Sequence, residues 1–402
     1  MTYRRLTRST LDGVDLPEAG LGIVHLGLGA FHRAHQAVLT QRAMLAAGGD
    51  WSIAAVAQHS TKVRDALHPQ DNLFTVTTRA ADHQELEVVG SIREVLLATQ
   101  QPDRLTALLS APDIHVVTLT VTEAGYERGG EVAAQLVRGL RARRAHDAPL
   151  TVISCDNLPD NGRVLSGLVS AACEPALWDW VARRVTFPSS VVDQIVPATT
   201  DDDLRAVGAA LGLADFAAVV GEPHRQWVIE DRFAGPRPPW EHAGVTFTDD
   251  IRPHQRTKLR VVNGTHSALA YLGSLAGYET TAEVAVVPEF VSYVKQLVHN
   301  ETGPGDADAV LARFANPMIT HRLAQIAAGG PRKLPQRLLA PAAELVAAGR
   351  EPRLICLALA AYPGRLDFLP AVLRESTLFR QVLADARARL DRNGVLETLR
   401  RL

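Results

Sequence analysis

A chain of 402 residues, 47% hydrophobic and 21% charged, is long enough for two domains and a large core. A formal net charge of −2 gives no electrostatic basis for binding nucleic acid, and the longest apolar stretches, such as Leu354 to Tyr362, are far too short to span a bilayer. Arg4-Arg5 is not followed by an apolar segment, so no secretory signal is read and a cytoplasmic setting is expected.

In chain order, Ile23 to Leu26 is a short apolar run suited to a buried strand, followed at once by Gly27-Leu-Gly29. There the chain must turn tightly and let a phosphate approach the backbone. Ala30 to Met44 can then form a helix whose first amides would hold a pyrophosphate. His32 replaces the third glycine of the usual fingerprint. The next strand, Trp51 to Ala57, leads into Gln58-His59-Ser60-Thr61-Lys62, without the carboxylate that usually binds a ribose. Gln58 or Ser60 could bond a ribose hydroxyl, and His59 and Lys62 could tolerate a 2′-phosphate, so NAD and NADP both remain open. His25, His32 and His35 do not complete a metal set with a cysteine or carboxylate, and no metal is expected.

Further strands are expected over Ile114 to Thr122 and Leu150 to Cys155, with a helix over Glu131 to Ala145 between them. Alternating strands and helices imply a doubly wound parallel sheet over residues 1–247, with ligands at the carboxyl ends of its strands. Gly27, Glu123 and Asn157 all follow strands directly. Residues 248–402 read as mostly α-helical, with helices over 258–275, 288–298, 307–314, 342–347, 354–361 and 370–399. A Pro-rich crossing, Arg232 to Trp240, reads as a loop near the domain junction. Cys155, Cys173 and Cys356 are scattered without metal-like spacing and are expected to be buried thiols.

Lys258-Leu-Arg-Val-Val-Asn263-Gly-Thr-His266 packs an amine, an amide and an imidazole into nine residues. At roughly 100° per residue, Asn263 falls about 140° and His266 about 80° round the helix from Lys258. The three polar heads thus share one side.

With these pieces placed, the chain resembles the polyol-specific long-chain dehydrogenases and reductases, the family of mannitol 2-dehydrogenase and fructuronate reductase. The resemblance is carried by Gly27-Leu-Gly-Ala-Phe-His-Arg-Ala-His35, Thr118-Leu-Thr-Val-Thr-Glu-Ala-Gly-Tyr126, Ser154-Cys-Asp-Asn-Leu-Pro-Asp-Asn-Gly162 and Phe187-Pro-Ser-Ser-Val-Val-Asp193. Gln226-Trp-Val-Ile-Glu-Asp231, the lysine segment and Lys333-Leu-Pro-Gln-Arg-Leu338 follow in order. It implies a metal-independent, NAD- or NADP-dependent oxidoreductase with a Rossmann-type domain and a mostly helical one. The cofactor contacts would come from Gly27, Gly29, Ala30, Phe31, His32 and Glu123. Lys258 would be the general acid/base, Asn157 and Asn263 would hold the reacting oxygen, and His266 would orient the substrate. Asp193 and Lys333 would lie near the sugar's other hydroxyls. A lysine acting as base needs a pKa brought toward roughly 7–8, and Arg256, Arg260, a helix start at Pro253 and partial burial would all push it down.

The sequence also departs from this pattern. His254-Gln255 stands where many relatives have Tyr-Glu, Gln325 where some mannitol 2-dehydrogenases have Arg, and Gly329-Gly330-Pro331-Arg332 where Asp-Gly-Ser is common. Ala124 replaces a common Lys, and Tyr362-Pro-Gly-Arg leads straight to Leu366. The expected reaction interconverts a polyol or aldonate with its 2-keto sugar, D-mannitol with D-fructose or D-mannonate with D-fructuronate. D-Arabinitol or mannitol 1-phosphate is an alternative, and a non-catalytic nucleotide-binding sensor or scaffold is a reading of another class. A carboxylate substrate would want an added cation, for which Arg332 is the candidate. The expected partner is a small sugar or polyol, with the protein a monomer or small homo-oligomer.

Overall fold

The computed structural model describes residues 3–402, apart from the side chains of Glu123 and Ala124. The chain divides into two compact units, Met1–Ile251 and Arg252–Leu402. Among the described residues no helix is long and apolar enough to cross a membrane.

The first unit is built on six parallel strands: β1 (Leu21–Leu26), β2 (Ser52–Ala57), β3 (Ile92–Leu97), β4 (Val116–Leu119), β5 (Leu150–Ser154) and β6 (Val185–Thr186). Their order in the sheet is β3-β2-β1-β4-β5-β6. This is the doubly wound Rossmann-type arrangement, and the order reverses between β1 and β4, which opens a ligand crevice at their carboxyl ends. The strands are almost wholly apolar because both faces are covered. On one face Ile23, Ala55 and Val95 pack with Ala37 and Val38 of the helix Gln36–Ala47. On the other, Val24, Leu26, Val56 and Val117 pack with Leu105, Leu136 and Leu165 from three further helices.

Several details differ from the sequence reading. The helix expected from Ala30 to Met44 is two, Ala30–Ala34 and Gln36–Ala47, broken at His35 (φ −113°, ψ −86°). The His35 ring bonds through Nε2 to the Gln226 carbonyl (2.9 Å), a distant anchor that local helix propensity does not register. The strand expected over 114–122 keeps only Val116–Leu119, because Thr120 turns its hydroxyl onto the Gly27 carbonyl (2.8 Å). Three small sheets were also unread: Phe74–Arg79 with Gln84–Val89 and Val219–Gly221, Ser190–Asp193 with Gln226–Glu230 and Thr246–Thr248, and Arg4–Arg5 with Leu213–Ala214. The second pairs Asp193 with Gln226 in register. Cys155 and Cys356 are buried, whereas Cys173, where the helix Asn161–Ala172 ends, is only half-buried.

The second unit is helical. Its central helix, Asn263–Leu275, is buried from Asn263 through Gly273, as expected of a helix surrounded by others. Around it lie Pro288–Leu297, Ala307–Phe314, Leu323–Ala327, Gly330–Leu334, Ala340–Ala347, Arg353–Ala360, Ala371–Glu375 and Thr377–Arg400. The last is interrupted at Gly394, where φ is +71°. Three π-helical turns continue these helices: Lys258–Val262 and Pro335–Leu339 each join two, and Val298–Thr302 extends Pro288–Leu297. The turn at Pro335 has a direct cause, since Pro335 lacks an N–H and its ring would clash with the carbonyl four residues back in an α-helix.

Candidate functional site

In the first unit the glycine turn is held from beneath. Gly27 has φ +107°, and a Cβ there would lie 2.1 Å from the Thr120 carbonyl oxygen, so no other residue fits. Beside Gly29 nothing comes nearer than the Gly27 carbonyl at 3.8 Å, which leaves that backbone open to a ligand. The fully buried His25 spans the floor, with Nδ1 on the Thr118 hydroxyl (2.8 Å) and Nε2 on the Thr120 hydroxyl (2.9 Å). Burial holds its pKa down at about 3, with the Gly27 carbonyl opposing. His32 stacks on His25 with ring centroids 3.4 Å apart and is also fully buried, which pushes its pKa well below the ordinary value. Ala30 opens the short helix after the turn, and Phe31 stacks on His35 at 5.0 Å. Glu123 begins a 3-10 turn, and its side chain lies outside the described residues.

Asn157 is exposed where the chain leaves β5. Its place is fixed by neighbours that the sequence reading passed over. The Asp156 carboxylate accepts the backbone N–H groups of Val121 (3.1 Å) and Thr122 (2.8 Å) and the Tyr126 hydroxyl (2.8 Å). The Asn161 amide donates to the carbonyls of Ser154, Asp156 and Ser190 and accepts the Ser190 N–H (2.9 Å). Together they pin the loops after β4 and β5. Asp193 is buried at the end of its strand, with His224 Nε2 3.4 Å from its carboxylate. His224 was not read from the sequence; alone in a loop it carries no local signal.

In the second unit Lys258, Asn263 and His266 are buried to 9%, 8% and 9% exposure. Lys258 opens a π turn that ends just before Asn263, so the uniform α-helical wheel used for the sequence does not apply between them. Asn263 Nδ2 has no acceptor among the described residues. Gln255, one turn before Lys258, is buried too, and its Nε2 likewise lacks a partner. His266 stacks on Phe314 (centroids 4.4 Å) and meets His321 edge-on (4.7 Å). Neither Phe314 nor His321 was singled out in the sequence, because nothing periodic connects them to position 266. Lys333 donates through Nζ to the Ile326 carbonyl (3.2 Å), while Arg332 beside it is exposed. Of the two arginines expected to act on Lys258, Arg260 is engaged by Glu344 (2.6 Å), which offsets its charge. Gly330 is a close approach: a Cβ there would meet the Tyr362 ring at 2.5 Å.

A sheet built to take a dinucleotide at its switch point, in one chain with a helical unit carrying a buried amine and amide, defines the class: a dinucleotide-dependent oxidoreductase. Comparison with known proteins narrows it. Residues 21–242 match the mannitol dehydrogenase Rossmann domain and residues 250–364 the mannitol dehydrogenase C-terminal domain. The chain is 38% identical to D-mannonate oxidoreductase of Escherichia coli (strain K12) over 363 residues, 79% of this chain and 74% of that one. It is 36% identical to mannitol 2-dehydrogenase of Pyrenophora tritici-repentis (strain Pt-1C-BFP), covering 85% and 68% of the two chains. Among solved structures, Pseudomonas fluorescens mannitol 2-dehydrogenase in ternary complex with NAD and D-mannitol aligns with TM-score 0.87 and 31% identity over 99% of both chains. This chain belongs to the mannitol dehydrogenase family and is an oxidoreductase acting on CH–OH groups.

Proposed function

We propose that the protein interconverts a polyol or aldonate with its 2-keto sugar, D-mannonate with D-fructuronate or D-mannitol with D-fructose, using NAD. The observation that carries this reading is the burial of Lys258, Asn263 and His266 on successive turns, with the Asn263 amide N–H2 left without a protein acceptor. In the oxidative direction Lys258 Nζ takes the proton of the hydroxyl borne by the carbon being oxidised, while that carbon gives up its hydride to the nicotinamide. Asn263 and Asn157 donate hydrogen bonds to that oxygen as its charge grows, stabilising it without competing for the proton. His266, braced by Phe314, orients the sugar, and Asp193 and Lys333 bind its remaining polar groups.

NAD, when bound, supplies the hydride acceptor. The residues present fit it: Gly27 and Gly29 give a turn that no Cβ obstructs, at the crevice where the strand order reverses, with Ala30, Phe31 and His32 immediately after it. We take Glu131, whose carboxylate lies 3.7 Å from the His59 imidazole just beyond β2, as the candidate to replace the missing fingerprint carboxylate. A carboxylate there favours a ribose hydroxyl and repels a 2′-phosphate, which supports NAD over NADP.

The test is spectrophotometric. The purified protein is offered NADH or NADPH with D-fructuronate, D-fructose, D-xylulose and fructose 6-phosphate in parallel. Faster consumption of NADH with one of the first two is the expected result. Turnover of fructose 6-phosphate alone would replace the substrate assignment, and cofactor binding without any turnover would sink the catalytic one.

A further inference from the structure

His321 is a polar group in the helical unit that the reading above leaves without a task. Its backbone is held firmly: the Thr281 N–H donates to the His321 carbonyl (3.1 Å), and the next residue, Arg322, bridges Thr280. Its ring is held as well, edge-on against His266 at 4.7 Å. Its Nδ1 is buried and has no hydrogen-bond partner among the described residues. An imidazole nitrogen in that condition costs stability comparable to a lost hydrogen bond, so such groups usually serve a ligand or a bound water. Burial lowers the His321 pKa, and the Lys333 ammonium, close enough to act electrostatically on the ring, lowers it further. The neutral ring keeps one N–H to donate.

An unsatisfied imidazole packed edge-on against the substrate-orienting histidine, with the Lys333 ammonium near enough to act on it electrostatically, suits an anion better than a neutral hydroxymethyl group. Hydrogen bonds to a charged acceptor are roughly twice as strong as neutral ones. Arg332, the cation that the sequence suggested, is exposed and lies about 100° round its helix from Lys333. We propose that His321 and Lys333 form a carboxylate-binding subsite, which makes the substrate a sugar acid, an aldonate and its 2-keto counterpart, rather than an uncharged polyol. This rests on the assignment of His266 to substrate orientation made above.

The experiment compares wild type, His321→Leu and His321→Gln with NADH and either D-fructuronate or D-fructose. Wild type should prefer the keto acid in kcat/KM. His321→Leu should cut that preference tenfold or more through KM, and His321→Gln, which restores an N–H donor, should lose less. An unchanged preference, or equal losses on both ketoses, would overturn the proposal, since a merely structural histidine serves both substrates alike. Calorimetric titration of each protein, with NADH present, against D-mannonate and D-mannitol gives a readout independent of turnover. Selective D-mannonate binding that weakens about tenfold in His321→Leu upholds the subsite even if no ketose is reduced, in which case the dehydrogenase reading alone falls. Binding of D-mannonate no tighter than D-mannitol, or insensitive to the substitution, removes the subsite.

Discussion

Acidification should unfold the first unit long before its carboxylates are fully protonated. His25 and His35 are completely buried, and burial holds both at a pKa of about 3 against an ordinary 6.5. Between those values the unfolded chain binds protons that the folded unit refuses, so stability is fully present above pH 6.5 and falls as the pH drops toward 3. Each such histidine contributes about 1.4 kcal/mol per pH unit within that window. From pH 6.5 to 4.5 the pair therefore removes about 5 kcal/mol, comparable to the whole stability of many domains. Tryptophan fluorescence isolates the effect, because Trp51, Trp178, Trp180, Trp227 and Trp240 all belong to the first unit. Trp227 also lies 5.9 Å from the His35 ring. Urea midpoints measured at pH 7.5, 6.5, 5.5 and 4.5 should be level between the first two and then fall steeply. His25→Asn should flatten that slope while lowering stability at pH 7.5. A midpoint independent of pH from 6.5 to 4.5 would refute the reasoning, because it would mean that these rings take up protons as easily folded as unfolded.

Other expectations concern the site. Lys258→Ala should lower kcat by 10²- to 10⁴-fold, the usual worth of a general base, while NADH binding measured by fluorescence stays intact; undiminished turnover would remove Lys258 from the mechanism. Glu131→Gln should raise kcat/KM with NADPH about tenfold relative to NADH, for the loss of one like charge worth about 1.4 kcal/mol; an unaltered ratio would show that Glu131 does not face the ribose. Asn161→Ala strips hydrogen bonds from the carbonyls of Ser154, Asp156 and Ser190 and from the Ser190 N–H. It should cost about 2–4 kcal/mol and lower the melting temperature of the first unit, and a shift of less than a degree would contradict its pinning role.

The alternation of apolar runs with helical periods was enough to determine a doubly wound parallel sheet followed by helices, because burial on both faces of a strand or around a helix is written in local periodicity. Gly27-x-Gly29 was legible for the same reason: a positive φ and a close backbone approach restrict the residue itself. Lys258, Asn263 and His266 could be grouped because nine consecutive residues carry them. Tertiary structure alone decided the rest. A ring tied to Gln226 broke the helix at His35, and a π turn reset the angles after Lys258. Asp156 gathered the N–H groups of Val121 and Thr122. Glu131 came within 3.7 Å of the His59 ring, and His321 met His266. Each of these joins residues far apart in the chain, or depends on how a turn closes in three dimensions. Hydrophobic periodicity constrains which face of an element is buried, but not which distant polar group it will meet there.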